Sequence, residues 1–180
     1  MGIILVDQDD VLADFEEAFK EEWTKRYPDR IIVPLEERLS FYIFENYPDE
    51  YKEDIIDIYK SEGFYRNMQP IEGGLEAVKY LAKKNDVFIC TSPMDTSRFC
   101  ASEKYDWVKH HLGEEWTRKL ILTKDKTLVY GDILIDDKPE ITGKRKNPFW
   151  EHILYTRPWN KHLNSQKRLI WKNYKEVLNQ

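Results

Sequence analysis

Apolar positions along this chain fall into short blocks of two kinds. Ile3-Ile4-Leu5-Val6 runs without alternation and ends in a burst of acidic positions, Asp7-Gln8-Asp9-Asp10. A short apolar run closed by polar residues fits a strand buried on both faces, as in an open parallel sheet. The same form recurs at Val87-Phe88-Ile89-Cys90, Lys119-Leu120-Ile121-Leu122, Ile133-Leu134-Ile135 and Ile153-Leu154-Tyr155. Between these blocks the apolar residues adopt helical spacing. Glu16 to Tyr27 is predicted helical, with Phe15, Ala18, Phe19 and Trp23 on one face and Asp14 as its cap. Asp49 to Ser61 presents Tyr51, Ile55, Ile58 and Tyr59, and Leu75 to Lys84 presents Leu75, Val78 and Leu81. A helix is also expected from about Ser102 to His111, and Leu169, Ile170, Tyr174 and Val177 predict a closing helix over Gln166 to Leu178. Strands alternating with helices predict an α/β fold with a doubly wound, five-stranded parallel sheet.

One stretch breaks the alternation. Pro28, Pro34 and Pro48 cut the chain into short pieces, and Phe41, Tyr42, Phe44 and Tyr47 cluster between them. Ile31-Ile32-Val33 is β-prone but is hemmed in by Arg30 and Pro34. The stretch is too long for a plain loop. Residues 16–70 therefore read as a small, mainly helical insertion, and residues 1–15 and 71–180 as the α/β core.

Composition narrows the class. At 180 residues, with 41% hydrophobic and 14% aromatic residues, the chain can bury a core and still line a pocket. It has no apolar run long enough to span a membrane. The N-terminus lacks the charged lead and long apolar region of a secretory signal. Cys90 and Cys100 have neither metal-ligand spacing nor a disulfide framework, so a reduced, cytoplasmic compartment is expected. The net charge of −5 disfavours general duplex binding, and no stable nucleic-acid polymer or membrane partner is expected. A homodimer is compatible with these features.

The candidate chemistry sits at strand ends. Asp7 and Asp9 follow the first strand, Thr91-Ser92 the second and Asp136-Asp137 the fourth. Parallel neighbours bring such ends to one edge of the sheet. Lys126 precedes Asp136 in a loop that can deliver an ammonium to the same edge. Taken singly, each group is an ordinary cap, turn or surface lysine. Together they complete one chemical set. Close carboxylates repel unless a cation lies between them, and an oxygen-bound divalent cation carrying a phosphate answers that need.

These residues also carry a resemblance. Val6 to Phe15 is similar to the first motif of the haloacid dehalogenase-like phosphatases, and Ile89 to Pro93 to the second. Lys126-Thr127 is similar to the third, and Gly131 to Asp137 to the fourth. Phe88 to Pro93, Glu103 to Val108, Leu122 to Thr127, Leu134 to Gly143 and Phe149 to Leu154 resemble, more narrowly, the 5'(3')-deoxyribonucleotidases. The resemblance implies that Asp7 is the nucleophile and Asp9 the general acid and base. It implies that Thr91, Ser92 and Lys126 hold the phosphoryl oxygens. Mg2+ would be bound by the Asp7 carboxylate, the Asp9 backbone carbonyl and Asp137, with Asp136 supporting them from behind; the pattern leaves open an exchange between the two neighbours. The insertion would act as a cap, with Phe15, Phe41, Tyr42, Ile43, Tyr59, Tyr65 and Met94 lining a pocket for a deoxyribonucleoside monophosphate. Other readings are another small phosphoester, a nucleic-acid 3'-phosphate, or a nucleotide-binding protein without catalysis. Three positions depart from the pattern. Asp10 stands where the family commonly has Gly, and Tyr42 and Tyr59 stand where the animal enzymes often have Trp.

Overall fold

The first strand, β1 (Ile3–Val6), is the centre of the molecule. The computed structural model describes residues 1–164 and 167–179. Among them, β1 is joined by β2 (Asp86–Thr91), β3 (Leu120–Leu122), β4 (Ile133–Asp136), β5 (Glu151–Tyr155) and β6 (Arg168–Leu169). All pairings are parallel and the order is β3-β2-β1-β4-β5-β6. Val6 is in register with Ile89 on one side and Ile135 on the other, so three polar strand ends lie side by side. The chain moves outward from β1 in one direction through β2 and returns to its other side at β4. That reversal opens the crevice in which ligands of such sheets bind.

The sheet has six strands where the apolar blocks predict five. β6 is only two residues long, pairing Arg168 with Leu154 and Leu169 with Tyr155, too short to register as a periodic block. It also displaces most of the predicted closing helix. The segment ends in one short helical turn, Tyr174–Val177, while Ile170 is exposed and Trp171 is buried, its Nε1 donating to the Val11 carbonyl at 2.7 Å. Gln166, where that helix was expected to begin, lies outside the described residues.

The helices follow their apolar faces. α1 (Phe15–Arg26) starts at Asp14, whose side chain accepts from the Glu17 backbone N–H. α2 (Lys52–Lys60) buries Ile55, Ile58 and Tyr59, and α3 (Gly74–Leu81) buries Ala77, Val78 and Leu81. α4 (Cys100–Leu112) buries Trp107 and Val108. Residues 15–69 contribute no strand to the sheet; α1, α2 and short 3₁₀ turns pack around Phe19, Trp23 and Tyr47. This segment leaves and re-enters through paired backbone, with Asp14 N–H donating to Gln69 O and Ile71 N–H to Leu12 O, each at 2.8 Å. Two buried groups of α4 hold its far end. Glu103 accepts from the backbone N–H groups of Gly63 and Tyr65, and Trp107 Nε1 donates to Met68 O. No helix among the described residues is long and apolar enough to cross a membrane.

Candidate active site

Asp7 follows directly on β1, and its backbone N–H extends the ladder to Ile135 O at 2.9 Å. This puts its carboxylate beside those of Asp136, the last residue of β4, and Asp137, which follows it; one oxygen from each of the three lies within 4.8 Å of the others. Lys126 Nζ enters from a 3₁₀ turn and sits 2.8 Å from Asp7 Oδ1 and 2.6 Å from Asp136 Oδ2. That turn is rigidly held. Asp125 accepts from Thr127 N–H at 2.9 Å and from Lys144 N–H at 2.7 Å. Gly143 permits the approach, because a Cβ there would stand 2.0 Å from Asp125 Oδ1.

The two neighbouring aspartates are not equivalent. Asp136 is already engaged, accepting from Lys126 and from Lys138 N–H at 2.9 Å. Asp137 is 2% exposed and its Oδ2 has no partner among the described residues. An orphaned buried carboxylate oxygen facing two further carboxylates is a donor set suited to a hard divalent cation. Burial, opposed by Lys126, still raises the Asp136 carboxyl from 3.8 to about 6. Burial and the Asp136, Asp10 and Asp7 carboxylates push Asp137 well up. Lys126 is disfavoured as a cation by burial, but Asp136 and Asp7 outweigh this and raise it.

These shifts have a sign. A carboxyl that holds its proton more tightly folded than unfolded makes the metal-free protein lose stability as pH rises from about 4 through about 6. A cation must displace those protons. Mg2+ binding, measured calorimetrically with the metal alone, is therefore expected to weaken progressively below about pH 6. Equal affinity at pH 5 and pH 7 would count against these carboxyls as ligands.

Asp9 faces elsewhere. Its Oδ1 accepts from Lys104 Nζ at 2.6 Å, and the same ammonium donates to Thr91 Oγ1 at 3.0 Å. Burial raises the Asp9 carboxyl while Lys104 pulls it down. Lys104 is fully buried. The sequence assigns it no role, although a signal exists: it shares the inner face of α4 with Cys100, Trp107 and Val108, where a lysine is costly without an anion.

Asp7, Asp9, Asp136, Asp137, Thr91, Ser92 and Lys126 all line one cavity of about 440 Å³, within the usual range for small-molecule pockets. Phe15, Phe41, Tyr42, Ile43, Tyr59, Tyr65 and Met94 line it too. Phe15 stands at 5.0 Å from the rings of both Tyr59 and Phe64, and Tyr65 Oη lies 3.8 Å from Met94 Sδ. Glu16, Lys124, Lys138 and Ile56 are among its other lining residues, and the sequence does not single them out for a pocket. Lys138 reaches across to the insertion, its Nζ 3.4 Å from Tyr42 Oη. Glu16 forms a buried ion pair with Arg38, which also donates to Ser40 O and Phe41 O and so fixes the start of the aromatic loop.

Known proteins resemble this chain over nearly its whole length. The family model described as "5' nucleotidase, deoxy (Pyrimidine), cytosolic type C protein" matches residues 1–179. A Bordetella pertussis protein named as a candidate 5'(3')-deoxyribonucleotidase is 49% identical over 177 residues, covering 98% of this chain and 95% of the relative. The human cytosolic 5'(3')-deoxyribonucleotidase is 42% identical over 186 residues, covering 97% of this chain and 92% of the relative. Among solved structures, a haloacid dehalogenase-like family hydrolase from Streptococcus pneumoniae superposes with a TM-score of 0.63 at 12% identity, covering 99% and 98% of the two chains.

Proposed function

Because the chain belongs to the 5'(3')-deoxyribonucleotidase family of the haloacid dehalogenase-like phosphatases, a family of phosphoric monoester hydrolases, we propose that it is a Mg2+-dependent enzyme that hydrolyses deoxyribonucleoside monophosphates through an aspartyl-phosphate on Asp7. The observation that carries this reading is the charge pattern of a single cavity. Its floor combines three carboxylates with Lys126, and its walls are aromatic.

In this reading Asp7 attacks phosphorus, and the bond to the nucleoside oxygen breaks as Asp9 gives that oxygen its proton. Asp9, then a carboxylate, is held by Lys104 2.6 Å away. It next takes a proton from water, the water oxygen attacks phosphorus, and Asp7 is released with inorganic phosphate. Lys126 and the hydroxyls of Thr91 and Ser92 bind the phosphoryl oxygens and stabilise charge as it develops. The cation would be held by the Asp7 and Asp137 carboxylates and the Asp9 carbonyl, with Asp136 bracing Lys126. When bound, it supplies charge neutralisation for the phosphoryl group and the attacking carboxylate.

Residues 16–70 serve as the cap and residues 1–15 and 71–180 as the catalytic core. Phe15, Phe41, Tyr42, Ile43, Tyr59, Tyr65 and Met94 take the base and sugar. The aromatic and aliphatic faces of this lining make burial of a 2'-hydroxyl costly wherever no tyrosine hydroxyl receives it, which favours a deoxyribose. The two free, buried cysteines fit a cytoplasmic location, as does the cytosolic type of the human relative.

A panel of monophosphates tests the assignment. Phosphate release from dUMP or dTMP with Mg2+ is expected to exceed that from the matching ribonucleotides by roughly tenfold or more and to vanish with chelator. Little preference over unrelated phosphoesters would move the substrate to another small phosphate compound. Turnover undiminished by chelator would remove the metal from the mechanism.

A further inference from the structure

Asp10 occupies a conformation that favours glycine. Its φ is 55°, in the left-handed region, and it is 7% exposed. Its backbone N–H donates to Ala13 O at 2.8 Å, closing the turn that follows Asp9. Its Oδ1 accepts from Glu16 N–H at 3.3 Å and from Arg157 Nη2 at 2.8 Å.

Arg157 comes from the loop after β5 and is itself fixed. It reaches Asp14 at 3.4 Å, and its guanidinium lies 5.2 Å from the Trp159 ring. Its backbone N–H donates to Asn160 Oδ1 at 3.0 Å. Asn160 is fully buried and donates from Nδ2 to Asp137 O at 2.8 Å and to Tyr155 O at 2.9 Å. One loop therefore grips both halves of the carboxylate set. Arg157 holds the turn after Asp9, and Asn160 holds the main chain of Asp137.

We propose that Arg157 is a positioning residue of the active site: by pairing with Asp10 it locks the turn after Asp9 in register with Asp137. The inference rests on the reading of Asp9 and Asp137 given above. It also gives the unusual Asp10 a role. A glycine at this turn needs no counter-charge, whereas a buried aspartate does, so in this chain carboxylate and guanidinium act as one unit. Arg157 touches no reacting atom and acts through Asp10.

The test compares Arg157→Ala, Arg157→Lys, Asp10→Gly and the double variant D10G/R157A. Fold is checked by circular dichroism, activity with dUMP, and metal affinity by calorimetry with Mg2+ alone. Arg157→Ala is expected to lower kcat and weaken Mg2+ binding by about tenfold or more, the scale of lost support around a metal site, with KM for dUMP little changed. Arg157→Lys should retain more of both. The D10G/R157A protein should match the D10G protein to within about threefold in both measurements, because the arginine is needed only where the aspartate is present. A loss under about threefold in Arg157→Ala, or a D10G/R157A protein more than about threefold below D10G, overturns the proposal. If Arg157→Ala does not fold, the comparison on the D10G background decides alone. Turnover of dUMP by the unaltered protein tests the underlying function separately from this coupling.

Discussion

Asp7→Asn abolishes phosphate release while the fold stays in place. The amide is not a nucleophile toward phosphorus, so the expected fall in kcat is about 10⁴-fold or more. Little else changes. Asn has the shape of Asp and can still accept from Gln8 N–H, which now donates to Asp7 Oδ1 at 2.8 Å. Lys126 keeps its second anion, Asp136, at 2.6 Å. One of three crowded carboxylates disappears, which relieves repulsion in the metal-free protein. Its thermal midpoint should therefore hold or rise, and the gain on adding Mg2+ should shrink. Phosphate release and thermal denaturation with and without Mg2+ check both halves. Activity within about tenfold of the unaltered enzyme would show that Asp7 is not the nucleophile.

Lys126→Met is expected to damage both stability and catalysis. Lys126 is 6% exposed, and its ammonium bridges two buried carboxylates. Removing one member of a buried ion set costs about 3–5 kcal/mol, because the remaining charges are left without compensation. In a chain of this size that is a fall of about 10 °C in Tm. The defect has a pH signature. Burial already raises Asp136 to about 6 against the pull of Lys126, and without the lysine it rises further. A carboxyl with a raised folded pKa costs stability only where it would otherwise ionise, so the loss should be greatest above about pH 6 and smaller under acid conditions. Catalysis should fall about 10³-fold with the loss of charge at the phosphoryl group. Denaturation at about pH 5 and pH 8 reads the first effect, and kcat the second. A stability loss below about 1 kcal/mol at neutral pH would show that Lys126 does not carry the buried charge balance.

Several features of the fold are legible because they are local. A doubly buried strand leaves an unbroken apolar block, and β1, β2, β4 and β5 all follow such blocks. α1 and α2 emerge from helical spacing with a capping aspartate and a breaking proline nearby. β6 is not legible. Its two residues pair only because β5 offers a free edge, and Leu169 and Tyr174 are buried for different reasons that happen to mimic a helical period. The difference between Asp136 and Asp137 is likewise invisible in the sequence. It depends on which carboxylate the incoming Lys126 meets.

Adjacency along the chain determined the chemistry that could occur here. Asp7 and Asp9 must leave the end of β1 together, and parallel neighbours must bring Thr91 and Asp136-Asp137 to the same edge, because strand direction and pleat fix where a strand-end side chain can go. Tertiary structure decided how those charges are balanced. Lys104 meets Asp9 across 95 residues and Arg157 meets Asp10 across 147. Periodicity records whether a position is buried. The partner that makes a buried charge tolerable is set by packing between distant segments, and only the folded chain brings those segments into contact.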